Sequence, residues 1–315
     1  MPRKLTVLCL VGLLGLVGLA GCGQDTPEKN QDTPGKSQTS QADKAPLELV
    51  EVTARAGQAP QITLPTTPFT VDAVAVRLVV DGDGAALETG QGLLVRQLAV
   101  SGADGSVLYD GWILEPQAGL VVGENPEAGD LDQVLAAAHI GAQVLLAVPT
   151  ELGLGQPVPA DLVLVEVVDA YDILPQATGT PVTPGPGLPK VAVDDDGVPT
   201  GITATGKPPA SLVVQPLIVG SGAPVVEGQT VRVHYTGWLW DGTQFDSSWD
   251  RGESTSFSLV VGGLIDGWVE GLAGQSVGSR VLLVVPPDKG YGDQDIETIP
   301  PGSTLVFVVD LLAAV

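Results

Sequence analysis

Between Val231 and Phe307 the chain gathers aromatic and polar residues in a dense, ordered series. The series opens with His234-Tyr235-Thr236-Gly237 and continues through Asp241-Gly242-Thr243-Gln244-Phe245-Asp246-Ser247-Ser248. Leu264-Ile265-Asp266-Gly267-Trp268 follows, then Pro286-Pro287-Asp288-Lys289-Gly290-Tyr291-Gly292, Ile299-Pro300-Pro301-Gly302 and Leu305-Val306-Phe307. Aromatic residues are only 4% of the chain, so this concentration points to a built apolar pocket rather than a generic core. Other chemistries find little support. His139 and His234 are the only histidines and lie in unrelated contexts, which argues against Ser-His-Asp catalysis and against a His-based metal site. Asp81-Gly82-Asp83-Gly84 and Asp194-Asp195-Asp196-Gly197 lack the spacing of calcium ligands closed by a distal Glu and read as turns. No Gly-rich loop sits between a strand and a helix as phosphate binding requires.

The elements that must position these residues are mostly strands. Val231-Arg232-Val233-His234-Tyr235 alternates apolar and polar residues, as a half-buried strand does. Asp241-Gly242 is a hairpin signal, because glycine readily takes the positive φ that such turns need. Arg280–Val285 and Thr304–Leu312 are Val- and Leu-rich runs suited to central strands. One short helix fits between strands, since Ile265, Trp268, Val269 and Leu272 fall on one face at i, i+3, i+4 and i+7. Gly267 and Gly271 weaken that helix by propensity.

The order and spacing of the series resemble the FKBP-type peptidyl-prolyl isomerases over roughly 100 residues. The resemblance implies an α+β fold, an antiparallel sheet wrapped around one short helix, and a site that turns over X–Pro bonds without metal or cofactor. It implies Trp268 as the floor beneath the proline ring, with Tyr235, Phe245 and Phe307 as aromatic walls. Phe257 adds to the wall, and Leu264 and Ile265 form one rim. The Ile265 N–H and the Tyr291 hydroxyl would bond substrate carbonyls. Asp246, positioned through Tyr235 and Arg251, would lie near the polarised carbonyl, and Ile299 would close a flap. Taken singly, the residues have plainer readings: Trp268 as core, Tyr235 as a cross-strand packer, Asp246-Ser247-Ser248 as a turn cap and Pro300-Pro301-Gly302 as a loop breaker. Thr255 stands where the family often has an aromatic residue, and Gly263 where it often has a polar one. Both changes thin the pocket wall and put substrate preference and macrolide binding in question. Asp293, Asp295 and Glu297 make the following loop acidic, which disfavours acidic sequence beside the target proline.

The 315 residues allow about two domains at roughly 150 residues each. Residues 46–174 look like a diverged copy of residues 190–315. Gly90-Gln91 matches Gly228-Gln229, Val144–Pro149 matches Val281–Pro286, and Glu151–Gly155 matches Asp288–Gly292 at a near-constant offset. On this alignment Leu131 replaces Trp268, Leu108 replaces Phe245, Tyr109 replaces Asp246, Leu154 replaces Tyr291 and Leu164 replaces Phe307. Gln97 or Leu98 stands for Tyr235. The first copy is therefore expected to be catalytically inert, and the chain to hold two FKBP-like domains. Residues 175–189, with Pro175, Pro181, Pro184, Pro186 and Pro189, read as a semi-rigid spacer.

Arg3 and Lys4 precede an apolar run from Leu5 to Leu19 that ends Leu19-Ala20-Gly21-Cys22, a pattern that resembles the bacterial lipoprotein cleavage box. The run is short for a bilayer span of ~20 residues. An ordinary signal peptide and an uncleaved anchor are the competing readings. A signal over 1–21 would leave Cys22 as the lipidated N-terminus and residues 22–45 as a polar tether. Cys9 would be lost with the signal, leaving no pair for a disulfide. The expected place is the extracytoplasmic side of a bacterial cell membrane, and the expected partners are proline-containing envelope polypeptides. A net charge of −23 argues against nucleic acid. The alternative to an isomerase is a non-catalytic chaperone or binding module for unfolded envelope proteins.

Overall fold

Short runs of Val and Leu between glycine turns fold into a mostly β architecture with few helices. The computed structural model describes residues 45–55, 58–150, 158–296 and 298–315. The predicted signal, Cys22 and the tether as far as residue 44 lie outside the described residues, while Ala45, its last residue, already opens a helix. The chain divides into two units, Met1–Tyr171 and Asp172–Val315.

In the first unit, helix α1 (Ala45–Glu48) leads into strands β1 (Glu51–Arg55), β2 (Gln58–Thr63), β3 (Thr70–Val71), β4 (Ala75–Val80), β5 (Gly92–Val100), β6 (Val107–Asp110) and β7 (Gln117–Val121). Helix α2 (Leu131–Ala136) and strands β8 (Gln143–Pro149) and β9 (Val158–Tyr171) complete it. The sheet runs β4-β8-β9-β5-β6, with β7 also pairing β5 and β3 pairing β9. One face buries Val95, Ala99, Val144, Leu146 and Val163 against Leu131 and Leu135 of α2. The other buries Leu98, Leu145, Leu162 and Leu164 beneath Leu47, Val50 and Ile62. Ile62 belongs to the antiparallel hairpin β1–β2.

The second unit begins with β10 (Thr180–Pro181), the hairpin β11 (Lys190–Val193) and β12 (Pro199–Thr203), and β13 (Val213–Val219). Strands β14 (Thr230–Leu239) and β15 (Gln244–Ser247), helix α3 (Ser248–Arg251) and strand β16 (Thr255–Ser258) follow. Helix α4 (Asp266–Leu272), β17 (Arg280–Val285), a 3-10 turn at Pro287–Lys289 and β18 (Leu305–Ala314) end the chain. The strand order is β10-β13-β17-β18-β14-β15, with β16 on β14. Its order β13-β17-β18-β14-β15 repeats the β4-β8-β9-β5-β6 of the first unit. The turn at Asp241-Gly242 closes β14 onto β15, and Gly242 takes φ 92° there.

Helix α4 lies where the sequence spacing puts it, with Ile265 as its extended N-cap. Its glycines are not weaknesses. A Cβ on Gly267 would stand 2.5 Å from Val285 Cγ1, and one on Gly271 2.6 Å from Leu283 Cδ2. Both glycines let the helix approach β17, and the approach sets the depth of Trp268.

The segment 175–189 differs from the semi-rigid spacer that its prolines suggest. Leu174 N–H donates to Leu312 O at 3.2 Å, Thr178 N–H to Gly278 O at 2.8 Å and Val182 N–H to Leu217 O at 2.8 Å. Thr180 and Pro181 pair with Val219 and Ile218. The backbone is spent on the sheet, so proline here marks an edge strand rather than a linker. Farther on, Leu188, Val191 and Ile202 pack over Trp238, Leu282, Val284, Val306 and Val308 on the sheet face away from α4. Arg280, buried with Asp310, bonds that carboxylate at 2.6 and 2.7 Å through Nε and Nη2. Asp310 also accepts from Ala177 N–H at 2.9 Å, and Arg280 donates to Gly197 O at 2.7 Å. One buried ion pair thus ties residues from both ends of this covering segment to the sheet.

Candidate functional site

Alternation along β14 and β18 decides which side chains meet α4. Val231, Val233 and Tyr235, with Leu305, Phe307 and Val309, share one apolar cluster with Trp268 and Val269. Trp268 is 3% exposed and is met edge-on by three rings: Tyr235 at 5.3 Å, Phe257 at 5.2 Å and Phe307 at 5.4 Å between centroids. Phe245 meets Phe307 edge-on at 5.5 Å. Edge-to-face contact places the positive rim of one ring on the negative face of another, and each such pair is worth about 0.5–1.5 kcal/mol beyond burial. Half-buried Phe245, Phe257, Leu264, Ile265, Ile296 and Tyr291 pack around this cluster, while Ile299 is fully within it.

Polar atoms sit at the edge of the rings. Tyr235 donates its hydroxyl hydrogen to Asp246 Oδ2 and accepts from Arg251 Nη2 at 3.2 Å. Arg251 Nη1 donates to Asp246 Oδ1, and the guanidinium carbon lies 5.8 Å from the Tyr235 ring centre. Burial and the Asp246 carboxylate push the Tyr235 phenol up to about 12, so it stays protonated and keeps donating. Burial also raises the Tyr291 phenol. The Ile265 carbonyl accepts from Trp268 and Val269 N–H at the start of α4. Among the described residues, no backbone carbonyl takes the Ile265 N–H itself.

All eleven pocket residues singled out in the sequence are among the described residues and lie in this cluster or at its polar edge, where Arg251 donates to both Asp246 and the Tyr235 hydroxyl. The turn-cap reading of Asp246-Ser247-Ser248 applies to Ser247, and the three residues divide the work. Ser247 Oγ accepts from Asp250 N–H at 3.3 Å and caps α3. Ser248 Oγ takes the Tyr235 N–H at 2.9 Å, while Asp246 holds the phenol.

Several contributors carried no role in the sequence reading. His234 stacks on Trp249 at 3.8 Å and 15° and bonds Ser248 Oγ at 3.0 Å, bracing α3 and hence Arg251 from behind the sheet. Gly237 leaves room for Phe245, since a Cβ there would lie 2.5 Å from Phe245 Cζ. Its place in His234-Tyr235-Thr236-Gly237 was the only sequence signal. At Gly263, one of the two thinned wall positions, a Cβ would meet Val260 Cγ2 at 2.9 Å, so Val260 already leans over that position. Thr255, the other, opens β16 and pairs with Val233 of β14.

Strand register settles the counterpart residues in the first unit. Tyr235 faces Val309 as Gln97 faces Val165, so Gln97 and not Leu98 corresponds to Tyr235. Leu283 faces Phe307 as Leu146 faces Val163. The counterpart of Phe307 is therefore Val163, which corrects the sequence match to Leu164. A one-residue slip changes the face of the sheet: Val163 packs on the α2 side and Leu164 on the other. Leu108 and Tyr109 stand opposite β5 as Phe245 and Asp246 stand opposite β14. Gln97 is 4% exposed, and among the described residues its Nε2 has no hydrogen-bond partner. The match of Leu154 to Tyr291 lies outside the described residues.

A family model described as FKBP-type peptidyl-prolyl cis-trans isomerase matches residues 222–312, inside the second unit. A probable FK506-binding protein of Corynebacterium glutamicum is 46% identical over 110 residues, covering 35% of this chain and 92% of that protein. An FK506-binding protein of Neisseria meningitidis is 45% identical over 103 residues, covering 32% of this chain and 94% of its own length. The Escherichia coli isomerase FkpA is 46% identical over 101 residues, 32% of this chain and 37% of FkpA. The crystal structure of FkpA from Escherichia coli aligns at 38% identity with a TM-score of 0.32, covering 41% of this chain and 52% of that one.

Proposed function

Because this chain belongs to the FKBP-type peptidyl-prolyl cis-trans isomerases, it accelerates the cis–trans interconversion of X–Pro bonds, and we propose that it does so at the ring cluster floored by Trp268. The barrier of ~18–20 kcal/mol comes from amide resonance, while the isomers of an X–Pro bond differ by only about 0.5–1 kcal/mol. The task is kinetic. A planar amide is more charge-separated than a twisted one, so a dry apolar surround weakens the resonance that must be lost. Selective grip on the twisted form supplies the rest.

Trp268 carries this reading: it is buried, yet surrounded edge-on by Tyr235, Phe257 and Phe307. A pyrrolidine ring on its indole would be walled by those rings and Phe245, with Leu264 and Ile265 along one rim. The Ile265 N–H and the Tyr291 hydroxyl would hold carbonyls on either side of the proline. Asp246, held by Tyr235 and Arg251, would face the carbonyl carbon of the twisting amide, and Ile299 would anchor the flap. The reaction calls for no cofactor. FK506-binding relatives favour the same cluster as a macrolide site.

The first unit is read as a second FKBP-like domain that has lost this cluster, each domain packing an antiparallel sheet on a short helix. The shared strand order supports it. Leu131, Val163 and Gln97 are buried without supplying a ring floor or a phenol, and Leu108 stands exposed where Phe245 packs on the rings. Lipidation of Cys22 would tether both domains on the extracytoplasmic side of a bacterial membrane, among envelope polypeptides whose slow X–Pro steps limit folding.

Isomerisation of a short X–Pro peptide by the form starting after Cys22 tests the site, alongside a Trp268→Leu, Tyr291→Phe variant. Acceleration by the parent that the double change abolishes is the expected result. Full activity in a folded double variant refutes the assignment.

A further inference from the structure

The loop that leads into the main helix of each unit differs at one position. Backbone bonds align the two loops. Gly90 N–H donates to Val122 O at 2.8 Å and Val122 N–H to Gln91 O at 3.0 Å. In the second unit Gly228 N–H donates to Leu259 O at 2.9 Å and Leu259 N–H to Gln229 O at 2.8 Å. Leu131 and Trp268 lie equally far beyond these anchors, so Gly123 corresponds to Val260 and Asp132 to Val269. In the first unit Asp132 pins the loop by accepting from Gly123 N–H at 2.8 Å, Asn125 N–H at 2.9 Å and Asn125 Nδ2 at 2.7 Å. Gly123 takes φ 93° there, which disfavours any side chain. In the second unit Val269 offers no acceptor to do this. The loop closes instead on a turn, Gly263 N–H to Val260 O at 3.1 Å, with the positive φ, 83°, at Gly262. Position 260 can therefore carry a β-branched side chain, and it lies over Gly263. Val260 Cγ2 stands 2.9 Å from where a Cβ on Gly263 would be. Val260 is still 39% exposed and Val261, at the tip of the turn, 70%. Val261 bridges to Leu264 of the rim.

We infer that Val260 is a specificity-determining residue of the Trp268 site. It supplies the wall that Gly263 lacks and, with Val261 and Leu264, selects an aliphatic, uncharged side chain flanking the proline on the Ile265 side. Residues 260–264 run directly into Ile265, so a carbonyl held by the Ile265 N–H brings a neighbouring side chain onto this strip. A carboxylate there would lose water against aliphatic groups, while Arg251 and Lys289 are engaged by Asp246 and Glu270. The inference rests on the proposed isomerase site and adds which substrates that site prefers.

Two series of short peptides, turned over by the full chain, test it. One varies the residue before proline and the other the residue after it, among Val, Ser and Asp. In one series kcat/KM should favour Val over Asp at least tenfold. Val260→Gly should lower kcat/KM at least fivefold more for the Val peptide of that series than for the Ser peptide. Val260→Gly with Gly263→Val should restore the preference, because Gly263 does not take a positive φ and the exchange removes the close contact at its Cβ. An active parent that treats Val and Asp alike in both series, an equal loss on every peptide in Val260→Gly, or no recovery in the exchanged chain each overturns this inference alone. Turnover that survives Trp268→Leu with Tyr291→Phe refutes the site and this inference together.

Discussion

Replacing Gly267 with alanine sets two effects of similar size against each other. Helix propensity alone favours the change by about 1 kcal/mol. The new Cβ, however, would stand 2.5, 2.8 and 3.2 Å from Val285 Cγ1, Cγ2 and Cβ. All three atoms belong to one β-branched side chain in a central strand, which has few rotamers to retreat into. Overpacking of this kind costs about 1–3 kcal/mol, so the net expectation is a loss of about 1 kcal/mol. For a unit of this size that lowers the melting temperature by roughly 2–4 °C. Gly271 is the internal control. Its nearest neighbour is the end of a leucine, Leu283 Cδ2 at 2.6 Å, and the next atoms lie at 3.4 and 3.5 Å. Leu283 can swing aside, so Gly271→Ala should stay within about 0.5 kcal/mol of the parent, the size of the propensity gain left over. Tryptophan fluorescence reads this unit well, because Trp238, Trp240, Trp249 and Trp268 lie in it and only Trp112 lies outside. Gly267→Ala with Val285→Ala should show favourable coupling in a double-mutant cycle. A stabilised Gly267→Ala, or no coupling to Val285, would refute the close-approach argument. Isomerase activity should fall with Gly267→Ala, since the displaced helix carries Trp268.

Tyr235→Phe removes the phenol that both Asp246 and Arg251 engage; hydrogen bonds to charged groups are worth about 1.5–3 kcal/mol, so kcat/KM should drop at least tenfold with little loss of fold. Activity within twofold of the parent would take Tyr235 out of the site. Asp310→Asn unbalances the buried pair with Arg280 and should cost about 3–5 kcal/mol, with faster hydrogen exchange at the Ala177 amide; unchanged exchange there would separate the covering segment from the pair. His234, packed on Trp249 beside Ser248 and opposite Asp310, is held down to about 4 by burial. Its folded value lies below the unfolded one, so the unfolded chain takes up more protons between about pH 4 and 6.5 and stability falls as pH drops through that window. His234→Gln should flatten the fall in a urea-midpoint series from pH 7 to 4; an unaltered slope would assign the loss to other groups.

The ring cluster was legible because its residues come in fixed order between recognisable turns, and the short helix because Ile265, Trp268, Val269 and Leu272 keep a helical period. What escaped the sequence depends on three-dimensional proximity. Gly267 and Gly271 look like propensity defects until Val285 and Leu283 are seen against them. The prolines of 175–189 look like a spacer because composition does not reveal that Thr178 finds an acceptor at Gly278, before β17, and Val182 one at Leu217 on β13. The match of Phe307 to Leu164 failed by one position because two apolar runs align equally well in either register when both faces of a sheet are buried. Only pairing with Leu146 tells Val163 from Leu164.

The covering segment makes the working unit longer than its recognisable motif. The family match begins at residue 222, but a fragment cut there would lose β10 to β13 and leave Trp238, Leu282, Val284, Val306 and Val308 bare. Such a fragment would be adhesive rather than merely shorter, and its failure in an activity assay would say nothing about Trp268. Cleavage near Asp172 instead keeps Ala177, Gly197, Val191 and Ile202 where Arg280 and Asp310 hold them. A protease acting between residues 190 and 203 would reach the same result from outside, converting the catalyst into an aggregating protein without touching a residue of its site.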